Sequence, residues 1–355
     1  MIVAPIAERE VSRRLLELDG LRGLAAMLVL LYHYTSPLIE GRRIGESSWR
    51  VGWGGLGVQL FFMISGYVIL MTAERVRSPR QFAIARASRL YPAYWAACLL
   101  AGSAYAVSGW PPQVGKLGTF AANLTMMQAF GGVEHLLSVF WTLHVELSFY
   151  LLVAVLLLLR GLRFMPHVLA VLVGAWLLTA RAAGVNEFAF GASPPWLSSA
   201  RMWFPLLFHH LHPMPFFLIG VVLYRVSRAG MQSVDVAALL VALADIGLHT
   251  RAHRPHLEAA ILGLMIVMMI VATQSGARPL RLPALVFLGE ISYAIYLMHV
   301  IVGAQMMAPM AAAGWDRNIS IAIGILVTIA LATMSTFGLE RPVVWLLRPP
   351  RPVGS

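Results

Sequence analysis

Leu18-Asp19-Gly20-Leu21-Arg22-Gly23-Leu24-Ala25-Ala26, followed by an apolar run to Tyr32-His33-Tyr34, decides how the rest of the chain is read. The run is long enough for a membrane span, which needs roughly 20 apolar residues. Yet it carries Asp19, Arg22 and His33. Ionisable groups inside a span are costly, and they usually face a cavity or a polar partner. Arg22 and His33 lie 11 residues apart. At about 100° per residue they share one face of a helix, and at about 1.5 Å per residue they stand roughly 16 Å apart along it. The bland reading is an arginine that snorkels to the interface and a histidine bonded to a neighbouring helix. The richer one is a stripe of chemistry through an apolar helix.

Composition favours a membrane setting for this stripe. The chain has 355 residues, 59% hydrophobic and only 12% charged. A soluble domain carries about twice that charge. The single cysteine, Cys98, excludes a disulfide framework or a cysteine-rich metal site. The formal charge of +11 fits basic loops facing the cytoplasm, and no nucleic-acid partner is expected. No small-residue cleavage pattern follows the first apolar run, so that helix is expected to be retained.

Apolar runs predict an all-α integral membrane protein of about ten transmembrane helices. The spans are expected near 18–37, 53–73, 90–108, 136–159, 167–182, 205–224, 234–249, 256–273, 284–303 and 318–339. With the N-terminus inside, 18 of the 27 basic residues fall on inner segments, among them Arg22, Arg75, Arg77, Arg80, Arg86, Arg89, Arg225 and Arg228. This bias predicts both termini in the cytoplasm of a multi-pass membrane protein. The stretch His249-Thr250-Arg251-Ala252-His253-Arg254 runs against it. The expected organisation is an N-terminal tail over 1–13, a membrane domain over 14–340 and a C-terminal tail over 341–355. No internal repeat is evident, which weighs against an inverted-repeat transporter.

Further intramembrane groups follow. In the second span Gly55, Gly57 and Gly66 suit close packing, and Ser65 reads as a packing hydroxyl. Between the second and third spans, a segment read as a loop holds Arg86 and Arg89, which would share a face of a helix, beside Tyr91, Tyr94 and Trp95. Paired guanidiniums with adjacent aromatics suit a phosphorylated, adenine-bearing ligand. The fourth span reads Phe140-Trp141-Thr142-Leu143-His144-Val145-Glu146. Glu146 must pair or stay protonated there, and His144 points about 200° away from it. The ninth span reads Ser292-Tyr293-Ala294-Ile295-Tyr296-Leu297-Met298-His299. Counted from the span ends, His33, Glu146 and His299 fall at similar depth, which predicts one polar chamber. The intramembrane groups show neither His-x-x-x-x-Asp metal geometry nor paired metal-binding histidines on one helix, so no metal is expected, and no Gly-x-Ser-x-Gly elbow or phosphate-binding glycine loop is present.

Four stretches carry a resemblance: Asp19-Gly20-Leu21-Arg22-Gly23 with Arg22-x10-His33, Arg86-x-x-Arg89-Leu90-Tyr91-Pro92, Phe140-Trp141-Thr142-Leu143-x-x-Glu146, and Ser292-Tyr293-x-Ile295-Tyr296-Leu297-x-His299. Together they resemble the acyltransferase 3 family of bacterial membrane O-acyltransferases, over about residues 14–340. The resemblance implies an acyl-CoA co-substrate, acetyl-CoA foremost, on the cytoplasmic side, with no tightly bound cofactor. It implies a carbohydrate or similar hydroxyl acceptor, an essential Arg22 and His33, and donor binding by Arg86 and Arg89, with Tyr91 beside them. Some relatives add a soluble C-terminal esterase-like domain, whereas here the membrane unit is expected to act alone or with a separate partner.

The expected mechanism has Arg22, Arg86 and Arg89 on the phosphates of coenzyme A and His33 as general base. Glu146 balances charge, and Asp19, Trp141, Tyr293 and His299 line the chamber. An acyl-histidine intermediate is a variant. The rivals are acylation of a small molecule such as an antibiotic or a lipid-linked intermediate and, from another class, a transporter or flippase.

Overall fold

A computed structural model describes residues 15–76, 78–182, 211–249, 255–275 and 277–347. The expected tail over 1–13, most of the tail over 341–355, Arg77, the stretch 250–254 and the start of the sixth span lie outside these residues. The described chain is almost wholly helical. Six helices are long and apolar enough to cross a membrane: Gly54–Ala73, Ser138–Leu158, Leu162–Thr179, His256–Gln274, Ser292–Ala312 and Arg317–Leu346. The chain is thus a multi-pass membrane protein.

The centre of the bundle is α1 (Leu16–Tyr34), with Glu17 and Asp19 in its first turn, where carboxylates suit the helix dipole. It packs on α2 (Gly57–Ala73), α10 (Pro283–Glu290) and α11 (Ser292–Ala312). Glycines allow these approaches. A Cβ on Gly20 would meet the backbone oxygen of Leu280, one on Gly23 that of Leu285, and one on Gly289 that of Asp19. Close backbone approach through small residues is the usual route to tight helix contact in membranes. The same device joins α2 to α7 (Met214–Ala229), where Gly66 faces the backbone of Phe217 and Gly220 that of Met63.

Between α1 and α2 the chain forms a two-stranded hairpin, β1 (Leu38–Ile39) with β2 (Arg42–Arg43). It turns through Glu40 and Gly41, both at positive φ. The first span therefore ends at Tyr34 rather than at 37. α3 (Pro79–Ser108) starts eleven residues before the expected third span. Ser78 caps it, its Oγ accepting from the Gln81 amide at 3.2 Å, with Pro79 at the first helical position. The segment read as a loop is therefore helical, because hydropathy is blind to a polar first turn that a good cap can nucleate.

Among the described residues follow α4 (Leu117–Leu124), α5 (Trp141–Leu158), α6 (Met165–Ala182), α8 (Ser233–His249) and α9 (Pro255–Ile270). α12 (Arg317–Ser335) passes through a π turn at Thr336–Glu340 into α13 (Arg341–Leu346). The expected ninth span is two helices, broken at Ile291 between α10 and α11. A wholly apolar pattern cannot show such a break. α2 and α11 form the inner layer with α1, while α6 and α9 leave most of their surface outward.

Candidate active site

Two polar stations lie along α1. The first is a cavity of about 110 Å³ walled by α1, α2, α3, α5 and α11. Arg22, Arg86 and Arg89 reach it, facing Glu146, with Ser65, Tyr150, Tyr293 and Tyr296 completing its polar wall. Glu146 Oε1 accepts from Tyr150 Oη at 2.6 Å and from Ser65 Oγ at 3.2 Å. Tyr150 lies one helical turn beyond Glu146, so α5 alone sets that pair. Tyr293 Oη donates to the Leu90 carbonyl at 3.1 Å and ties α11 to α3.

The arginines are held differently. Arg89 Nη1 pairs with Glu340 Oε2 at 2.7 Å, and the other oxygen of that buried carboxylate accepts from Thr336 Oγ1 at 2.8 Å. Arg86 lies over the rings of Phe82 and Tyr150, at 5.7 and 6.0 Å. Its buried Nε has no hydrogen-bond partner among the described residues. Arg86 and Arg89 also line a second cavity of about 610 Å³, with Ser78, Arg80, Gln81 and Leu347, at the start of α3. These two arginines therefore line both the vestibule at the start of α3 and the chamber. With Arg89 paired to Glu340, Arg22 and Arg86 face the single carboxylate of Glu146, which leaves net positive charge in the lining, a setting that suits a phosphorylated ligand.

The second station is a histidine pair further along α1. His33 Nδ1 lies 3.2 Å from His299 Nε2 and 3.0 Å from the Val29 carbonyl. His299 is fully buried, and its Nδ1 lies 2.8 Å from the Tyr296 carbonyl and 3.2 Å from that of Ile295. Tyr34 Oη donates to the His299 carbonyl at 2.8 Å, fastening α1 to α11 at this level. Tyr296 stands between the stations. It lines the arginine chamber, and its ring centroid is 5.8 Å from that of His299. Its hydroxyl donates to the Val139 carbonyl and receives from Thr142 Oγ1, both at 3.1 Å.

The structure therefore regroups the expected residues. His33 joins His299, while Glu146 joins Arg22, Arg86 and Arg89. Depth counted from span ends gives a level but not an azimuth, so three residues at one level split into two stations. His144 lies apart from Glu146, as its spacing predicts, and stacks on His135 with ring centroids 5.0 Å apart. Tyr293 lines the chamber. Tyr91, expected beside the donor, instead donates to the Thr125 carbonyl at 2.7 Å. It lies two residues past Arg89, about 200° round the helix, and so faces away from the chamber. Trp141 packs edge-on against Phe62 at 6.2 Å. Asp19 sits one turn before Arg22, its backbone oxygen against Gly289. Ser65 is more than a packing hydroxyl, since it reaches Glu146. Tyr150, Thr142, Tyr296 and Glu340 were not singled out from the sequence. Tyr150 had a signal in its place four residues after a buried carboxylate, and Thr142 and Tyr296 lie in two of the stretches that carry the resemblance.

Comparison with known proteins identifies the family. The family model for the acyltransferase domain of the acyltransferase 3 family matches residues 15–337. Acyltransferase MdmB of Streptomyces mycarofaciens is 28% identical, over 96% of this chain and 95% of its own. Nodulation protein 10 of Rhizobium leguminosarum bv. viciae is 26% identical, over 92% and 93%. The exopolysaccharide production protein ExoZ of Rhizobium meliloti is 28% identical, over 82% and 90%. No solved structure gives a significant match. With the family match spanning nearly all of the described helices, the chain belongs to the acyltransferase 3 family and is an acyltransferase of groups other than aminoacyl.

Proposed function

We propose that this protein moves an acyl group, acetyl foremost, from acyl-CoA on the cytoplasmic side to a hydroxyl of a cell-surface or extracellular carbohydrate. In this reading about ten helices cross the bacterial inner membrane with both chain ends inside. The observation that carries it is the pair Arg86 and Arg89 shared by vestibule and chamber, with His33 further along α1. The nucleotide and its phosphates occupy the vestibule and meet these two arginines. The flexible pantetheine arm carries the thioester past Arg22 and Tyr296 towards His33. A relative named for exopolysaccharide production supports the carbohydrate acceptor.

The chemistry then needs one base. His33 removes the proton of the acceptor hydroxyl as its oxygen attacks the thioester carbonyl. The C–O bond forms, the C–S bond breaks, and the departing thiolate takes the proton back from His33. Glu146, held by Tyr150 and Ser65, sets the charge balance of the chamber before the donor arrives.

The test is transfer of label from [14C]acetyl-CoA into carbohydrate by membranes containing the protein. Arg86→Gln is expected to raise KM for acetyl-CoA roughly 10- to 100-fold, the scale of a lost charged hydrogen bond, with kcat nearly unchanged. An unaltered KM would remove Arg86 from the donor site. Substrate flux through sealed vesicles without coenzyme A, and no label in carbohydrate, would favour a transporter instead.

A further inference from the structure

The geometry points to His299 as the positioning residue that fixes which nitrogen of His33 acts as the base; this deepens the reading above and rests on it. His299 Nδ1 lies within hydrogen-bond distance of two backbone carbonyls, Tyr296 at 2.8 Å and Ile295 at 3.2 Å. A carbonyl can only accept, so this nitrogen carries the hydrogen. A second proton would charge a fully buried ring, and no carboxylate is among its hydrogen-bond partners. His299 is therefore the Nδ1–H tautomer, with a bare lone pair on Nε2.

That lone pair faces His33 Nδ1 at 3.2 Å. One hydrogen must lie between the two nitrogens, and it can only belong to His33. The Val29 carbonyl, 3.0 Å from the same atom, makes the same demand. Both neighbours thus require His33 to be Nδ1–H, which leaves Nε2 as its basic nitrogen. The acceptor proton goes to Nε2, and His33 becomes an imidazolium whose Nδ1–H still points at the His299 lone pair. The hydrogen bond strengthens as the charge appears. A general base commonly has a third group to orient it. Here the third group is a neutral histidine, itself oriented by its own helix backbone.

His299→Leu removes the lone pair and keeps an apolar side chain. His299→Gln keeps an acceptor, its amide oxygen, at about the position of Nε2. With [14C]acetyl-CoA and membranes containing the full chain, His299→Leu is expected to lower kcat about 10- to 100-fold, the scale for partners that orient a functional imidazole. KM for acetyl-CoA should not move, and His299→Gln should recover most of the rate. Equal loss in both variants would overturn the proposal, because packing alone would explain it. A His299→Leu enzyme as fast as the parent, beside an inactive His33→Ala, would also overturn it while leaving His33 as the base. Full activity of His33→Ala would remove the mechanism and this inference together. Expression and a monodisperse elution profile of each variant separate these outcomes from misfolding.

Discussion

Replacing His33 by alanine is expected to lower acyl transfer about 10²- to 10⁴-fold in a protein that still folds, the usual range for a lost general base. His33 lies inside the described bundle at the only point where an α1 imidazole meets one from α11. Its removal leaves a small cavity and takes away the contacts of Nδ1 with Val29 and His299, while the glycine-mediated contacts of α1 remain. The measurement is label transferred from [14C]acetyl-CoA at saturating donor, normalised to folded protein by elution profile. KM for the donor should stay near the parent value, because Arg86 and Arg89 lie at the far station. A rate within a few-fold of the parent would exclude His33 as the base.

The second large effect is structural. Gly289→Ala should reduce stability by about 3 kcal/mol or more, at or above the upper end for overpacking. The added methyl would collide with the backbone oxygen of Asp19, and no side-chain rotamer relieves a clash between Cβ and backbone. α1 and α10 must separate, carrying Arg22 out of line with Arg86 and Arg89. Thermal unfolding in detergent is the readout, with Gly174→Ala as control, because a Cβ there meets nothing within 4 Å. Equal unfolding temperatures for both variants would show that the α1–α10 contact yields freely.

Much of the site is legible in the sequence. Arg22, Arg86, Arg89 and Glu146 do share a chamber, and each announced itself as an ionisable group in or beside an apolar run. Their grouping was not legible. Helical periodicity relates residues within one helix, but which faces meet depends on contacts between helices. Those contacts run through glycines, and the sequence does not pair Gly289 with Asp19 or Gly66 with Phe217. Glu340 stayed hidden for a similar reason: it looks like the end of an apolar helix, and only the fold brings it to Arg89. The break at Ile291 was invisible because apolar residues lie on both sides of it.

Arg22, His33, Ser65, Tyr293, Tyr296 and His299 sit on α1, α2 and α11, which the bundle surrounds, whereas α6 and α9 present most of their surface outward. The molecule thus divides into a buried spine and an outward-facing rim. Drift in the rim, such as trading leucines for valines or fitting a thicker bilayer, leaves the spine's atoms where they were. Exchanges of one apolar residue for another on α6 or α9 are therefore expected to leave acyl transfer nearly unchanged, while the same exchanges on α1, α2 or α11 reach the polar stations directly.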